Sequence, residues 1–411
     1  MTFNKAITQA ADAGEEPFSI EEIFFSRTDQ RGVIKSGNGV FRRVSGFEWD
    51  RLIGAPHRIV RHPDMPKAVF WLLWKTIQAD KPMVVFVKNR SDAGRWYWVL
   101  AVVVPFAEGY LSVRIKPTSA LFGQAKALYP EVLAAEQAMA PDKSAEFLIG
   151  RLNDLGFPTY ADFAAQALEQ ELAARDAAIG VANANAAQIL ATVTTSLGVM
   201  RKKQTDLMRE FDALQSIPTN MRIIASRLEP SGGPISAISD NYKFSSTDIS
   251  RRLGAFTGAE SNLCQSVADI VRDALCISAM ARLLFSARTQ FATEDDKQSP
   301  INAADEEALL TRLETGYHKQ AHVALRTAEQ VSGDVNLASG EIRRMMLGLD
   351  TIRVMGRVES GRLGAAGGGL AATIDQLDTR HASIARLLQG MMDLSATMRA
   401  GINAYLRQVA T

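Results

Sequence analysis

The pattern of apolar and polar positions divides the chain into two parts of different period. Between Phe18 and Thr118, short apolar runs are punctuated by Gly and Pro, and all five Trp fall between Trp49 and Trp98. Here "VVFVKNRSDAGRWYWVLAVVVPFAEGYLSVRIK" holds three β-rich runs separated by "SDAG" and "AEG", stretches whose glycines suit turns needing positive φ. The spacing predicts an antiparallel meander inside a compact domain of mixed helix and strand.

From about Ala161 the apolar residues recur at steps of three and four, the stripe of a bundle or coiled coil. One seam runs Leu253, Phe256, Leu263, Val267, Ile270, Ala274, Ile277, Ala281, Leu284, interrupted by Glu260; a second runs from Leu370 through His381 to Tyr405. Partner seams start at Val193 and Val331. Breakers at 229–234 ("EPSGGP"), 293–302 ("TEDDKQSPIN") and 364–369 ("GAAGGG") cut this part into four pieces of roughly 40 to 60 residues, or ~60 to 90 Å of helix. Helices that long need a partner surface along most of their length. The sequence around Arg227 and Arg362 is similar: glycine follows five residues later in each, and Ile223 and Val358 stand four before. Two helical hairpins in tandem are expected, about 166–292 and 303–411.

Length and charge narrow the function classes. A chain of 411 residues exceeds one small core and suggests two or three domains. Lys plus Arg number 46 against 45 Asp plus Glu, so no net field draws the chain to nucleic acid. Cys264 and Cys276 fall on different faces of one helical run, which argues against a disulfide framework. Apolar runs such as "WVLAVVVPF" fall short of the ~18 to 20 residues of a membrane helix, and the acidic start has no signal-peptide core. A cytoplasmic protein without a membrane span is expected.

The stretch "IVRHPDMP" at 59–66 concentrates an arginine, a histidine and an aspartate between two prolines. With "N-x-x-F-x-x-V-S-G" at 38–46, "G-x-P-H-x-x-V-R-H-P-D-M-P" at 54–66, "VKNR" at 87–90 and "YWV" at 97–99, it resembles the PAS domain of bacterial aerotaxis receptors and their flavin-binding relatives. The resemblance covers about residues 20–120. It implies a five-stranded antiparallel sheet with helices across one face, holding FAD without a covalent bond. Arg61, His62, Asp64 and Trp74 are the flavin-binding residues it implies, with Asn38, His57 and Asn89 at further matching positions. An arginine there suits charge-assisted bonds to a carbonyl or phosphate, and the prolines place the donors in advance. Taken alone, such a loop also serves to cap helices, and Trp74 also suits an ordinary core. Phe86 replaces a small residue of the family, so a narrowed pocket is expected, and Asp92-Ala93-Gly94 departs from the family's usual turn.

The helical part resembles, in degraded form, the signalling hairpin of methyl-accepting chemotaxis receptors. Asn220 and Arg227 of the first repeat, and Glu359 and Arg362 of the second, match tip positions. The resemblance implies an antiparallel four-helix bundle or coiled coil, self-association, and a chemotaxis adaptor and histidine kinase as partners. The expected order is a tail (1–19), a PAS sensor (20–118), a helical linker (119–165) and a signalling bundle (166–411). No phosphate-binding loop or nucleophile elbow is present, so a sensor is expected rather than an enzyme. A cofactor-free interaction scaffold, a haem-binding PAS domain and a flavoenzyme are the alternatives. Glu314, His318 and His322 share a helix face, but surface solvation explains them better than a metal.

Overall fold

The computed structural model describes residues 14–180, 184–228, 233–257, 262–294, 300–364 and 368–409. The chain folds as two compact units, Met1–Ala187 with Asp273–His322, and Gln188–Arg272 with Val323–Thr411.

In the first unit, β1 (Phe24–Asp29), β2 (Ile34–Gly37), β3 (Met83–Arg90), β4 (Trp96–Phe106) and β5 (Gly109–Ile115) form one sheet. Its order is β2-β1-β5-β4-β3, and every neighbouring pair is antiparallel. The hairpin turn into β5 is tight: a Cβ at Gly109 would lie 2.0 Å from the Thr28 carbonyl oxygen, so only glycine fits. Between β2 and β3 lie α1 (Gly39–Ser45), α2 (Trp49–Leu52), a 3₁₀ turn (His57–Val60) and α3 (Lys67–Ile77). Asn38 caps α1 by accepting from Phe41 N, and Gly46 ends it in the left-handed region at φ 68°.

After the sheet come α4 (Ala120–Ala135), α5 (Pro141–Asp154) and α6 (Tyr160–Ala178). They share one hydrophobic core with the strands: Trp98 packs edge-on against Phe122, and Tyr129 donates to the Phe86 carbonyl at 2.9 Å. The buried Glu171 of α6 accepts from Thr118 N and Ser119 N at the start of α4, while Glu136 accepts from Lys67 N and Ala68 N at the start of α3. Residues 119–165 are therefore not a separate linker. They cover the second face of the sheet, and the expected boundary at 166 falls inside α6.

The remaining helices are α7 (Ala184–Gln215), α8 (Ile217–Arg227), α9 (Gly233–Thr257), α10 (Leu263–Phe291), α11 (Ala303–Arg362) and α12 (Gly368–Val409). The end of α10 and the start of α11 belong to the first unit. There they hold β1: Gln290 bonds both the amide and the carbonyl of Ile23, Phe291 meets Phe25 at 5.3 Å, and Glu306 accepts from Arg27 Nη2 at 2.6 Å. The hairpins expected to lie wholly in the bundle thus give one end to the first unit.

In the second unit the expected seams are buried, with Leu197, Leu207, Leu214, Ile342, Leu349, Leu377, Leu388 and Ile402 all turned inward. Arg357 of α11 pairs with Asp375 of α12, and Glu329 of α11 with Arg399 of α12, so these two helices run antiparallel. Of the three breakers, residues 229–232, 295–299 and 365–367 lie outside the described residues, as do 258–261, around Glu260. Among the described residues, no helix is long and apolar enough to cross a membrane.

Candidate ligand-binding site

Side chains alternate across a strand, so β3 and β4 offer one face to α4–α6 and the other to α3, while the outward face of β1 meets the ends of α10 and α11. On the face toward α3, away from α4–α6, Val85, Val87 and Asn89 of β3, Ala101 and Val103 of β4, and Tyr110, Ser112 and Arg114 of β5 line a cavity of about 360 Å³. Leu73, Trp74 and Ile77 of α3 close it opposite, and Pro56, His57, Arg58 and Arg61 form one wall. Trp74 stands edge-on to Tyr110 at 5.7 Å. Gly32, at φ 76°, lets the Trp74 ring lie where a Cβ would sit 3.0 Å away.

The lining is apolar with a cationic complement. Arg31, Arg58, Arg61 and Arg114 all contribute to it, and among the described residues no carboxylate does. Arg114 is only 3 % exposed. Its Nη2 donates to Ser26 Oγ at 2.9 Å and to His57 Nε2 at 2.6 Å. An arginine is always a donor, so the His57 proton sits on Nδ1. Burial and the neighbouring Arg114 push the His57 pKa down to about 3, and burial brings Arg114 down to about 10.

The polar loop divides its labour. Arg61 reaches the cavity, stacks over Phe70 at 3.8 Å and donates to the Met65 carbonyl at 3.0 Å; burial lowers its pKa. His62 and Asp64 stand outside the cavity lining and fix the loop. His62 N donates to the Lys88 carbonyl, His62 Nδ1 accepts from Asp64 N, and Asp64 takes an ion pair from Lys88 Nζ at 2.7 Å. Asn38 also lies outside the lining: it accepts from Phe25 N, and its amide donates to Ile23 O and to Glu294. Of the seven residues expected at the ligand, Arg61, Trp74, His57 and Asn89 thus converge on one cavity.

Phe86 does not narrow that cavity. The pleat turns it to the opposite face, where it packs against Phe122 and Phe163. Arg114, Arg58 and Tyr110 belong to the lining and were not singled out from the sequence. The available signal was the alternation in "YLSVRIK", which gives Tyr110, Ser112 and Arg114 a common face; such a polar face reads as solvent-exposed unless something covers it.

In the second unit, Asn220, Arg227 and Arg362 are exposed and Glu359 is half-buried, with Arg362 paired to Glu359 at 3.3 Å. Met221 of α8, Ile238 of α9 and Ile374 of α12 gather around Gly356 of α11, and Ile224 lies near Gly369, so both hairpin ends are on the same side of that unit. Glu314 is committed to an ion pair with Arg288, and among the described residues no group of three metal-ligating side chains is found.

Residues 34–112 match the family model described as the PAS fold. Over 118 residues the chain is 38 % identical to the aerotaxis receptor of Escherichia coli (strain K12), a match covering 28 % of this chain and 23 % of the relative. The chain thus spans about a quarter of the curated relative it matches. Among solved structures, a PAS domain from Colwellia psychrerythraea is 19 % identical, covering 28 % of this chain and 98 % of that one, with a TM-score of 0.21. The blue-light activated histidine kinase of Erythrobacter litoralis EL346 is 13 % identical, covering 42 % and 58 %, with a TM-score of 0.24. Residues 34–112 carry a PAS-like fold, and a largely helical region follows it.

Proposed function

We propose that this chain is a redox or oxygen sensor that binds FAD in the PAS-like cavity and relays the state of that cavity to its long helices. The observation that carries the reading is the cavity itself: apolar walls, one indole in its lining, and four guanidinium groups with no carboxylate among the lining residues. An isoalloxazine suits that set, because its faces are apolar and one edge is rich in carbonyl and nitrogen acceptors. A bound flavin would supply reversible electron acceptance, which none of the lining side chains offers. A haem fits less well, since His57 Nε2, the imidazole nitrogen placed by the structure, already accepts from Arg114.

The relay rests on the pleat of β1. Ser26 accepts from Arg114 of the cavity lining, while its neighbours Phe25 and Arg27 turn the other way to Phe291 and Glu306. A change of negative charge in the cavity acts on the Arg114 guanidinium, and Ser26 carries the adjustment into β1. Its effect on the helices is limited to the difference in contact energy between two arrangements of that strand. Output through a chemotaxis-type adaptor and histidine kinase is the corresponding reading of the exposed ends at Asn220, Arg227, Glu359 and Arg362. Receptor-type signalling accords with this better than catalysis.

The test is a filled cavity. Ala101 is buried in β4 and faces the ring space, so Ala101→Phe should abolish FAD uptake while circular dichroism stays that of the folded chain. Undiminished FAD uptake by folded Ala101→Phe protein would place the ligand elsewhere.

A further inference from the structure

Beside the ring cavity, and sharing Pro56 and Arg58 with it, is a second cleft of about 530 Å³. Its floor is the turn from Ser91 to Gly94 between β3 and β4, fixed by Ser91 N donating to Arg95 O and Asp92 N donating to Ser45 O. Phe47, Arg51 and Arg58 stand along its sides. Three guanidinium groups, Arg51, Arg58 and Arg90, line this cleft against one carboxylate, Asp92.

That carboxylate is taken. Arg51 Nη1 meets Asp92 Oδ2 at 2.6 Å and its guanidinium lies 4.8 Å from the Phe47 ring. Among the described residues Arg58 and Arg90 form no ion pair, so the cleft keeps an excess of positive charge. A second observation is independent of charge. Ser91 is 2 % exposed, and its hydroxyl has no hydrogen-bond partner although it lies in the lining. Native proteins leave few buried polar atoms unanswered, and one at a ligand-sized cleft calls for an acceptor or donor from outside the chain.

With the tricycle in the ring cavity of about 360 Å³, the remainder of FAD needs a second space beside it. The wall shared by the two spaces is Pro56 and Arg58. Forked guanidinium groups bind phosphate oxygens in pairs, which separates phosphate from the neutral ribityl chain that precedes it. We propose that the cleft of Arg58, Arg90 and Ser91 is a diphosphate subsite, through which the chain selects FAD over riboflavin. This rests on the flavin reading above and assigns the part of the cofactor that the ring cavity leaves outside.

The experiment is a fluorescence titration of the full chain with riboflavin and FAD, and calorimetry with ADP, for the wild type and Arg90→Gln. Arg90 is exposed at the end of β3 and lies outside the ring cavity lining, so its replacement spares both the sheet and the ring contacts. A hydrogen bond to a charged group contributes about 1.5–3 kcal/mol, so Arg90→Gln should weaken FAD on the order of tenfold to a hundredfold and leave riboflavin unchanged. FAD and riboflavin bound equally by the wild type, or weakened equally by the variant, would overturn the subsite while leaving the flavin reading intact. If neither flavin binds, the flavin reading fails. ADP then decides the cleft: saturable binding weakened by Arg90→Gln upholds a diphosphate site, and no ADP binding refutes it.

Discussion

Arg27→Ala tests whether β1 and the helices it touches behave as one element. Glu306, at the start of α11, is 2 % exposed. One of its carboxylate oxygens accepts from Arg27 Nε at 2.9 Å and Nη2 at 2.6 Å, and the other has no hydrogen-bond partner. Removing Arg27 leaves a buried charge with nothing opposite it, a change that typically costs about 3–5 kcal/mol. The Arg27 side chain is 24 % exposed, so water reaches the vacated space and brings the cost below that range, to roughly 2–3 kcal/mol. The amides at the start of α11 should then exchange hydrogen on the order of 30 to 100 times faster, because local opening sets their protection. Removing both charges together, as Arg27→Met with Glu306→Met, leaves no stranded carboxylate and should cost much less than the single change. Hydrogen exchange read by mass spectrometry over residues 300–322 measures both. A single variant that exchanges like the wild type, or a double variant worse than the single, would refute the clasp on β1.

Two further predictions concern buried histidines. His57 takes up a proton in the unfolded chain near its ordinary 6.5 but in the folded chain only near 3, so the unfolded state binds the extra proton in between. Stability is therefore fully present above about pH 6.5 and is lost as pH falls toward 3; acid titration of the apo protein should show a slope in that window that shrinks in Arg114→Met, and a slope unaltered by that change would contradict the pairing. In the second unit, the fully buried Tyr242 bonds His381 Nε2, whose Nδ1 faces Asp350 at 2.7 Å. Burial lowers the His381 pKa against the opposing pull of Asp350. Tyr242→Phe should destabilise that unit by about 1–2 kcal/mol, read as faster exchange in α9 and α12, and unchanged exchange would show the bond to be idle.

What was legible in the sequence follows from the range of the interactions involved. The meander was readable because β3, β4 and β5 are joined by short turns, and the helical seams because their three- and four-residue steps are local. The covering of the sheet's second face was not readable: α4–α6 looked like a linker, because nothing local says that Phe122, Tyr129 and Phe163 share a core with Phe86 and Trp98. The same alternation explains the site. A period of two marks the strands but not which face is enclosed, so it does not tell that Phe86 turns away from the cavity and Arg114 into it. Within "IVRHPDMP", residue type indicated polar chemistry, yet only the position of Lys88 beneath the loop separates Arg61, which reaches the cavity, from His62 and Asp64, which hold the loop in place. The grip of Gln290, Glu294 and Glu306 on β1 and α1 spans more than 250 positions and left no local trace.

The cavity's occupant is the centre of the account, and the visible absorption spectrum of the full chain after incubation with FAD and removal of free cofactor tests it most directly. The account predicts the bands of a bound oxidised flavin in the wild type and their loss in Arg61→Ala and Trp74→Ala, the two loop and helix residues at the cavity. Colourless wild-type protein, or variants that hold as much flavin as the wild type, would contradict it.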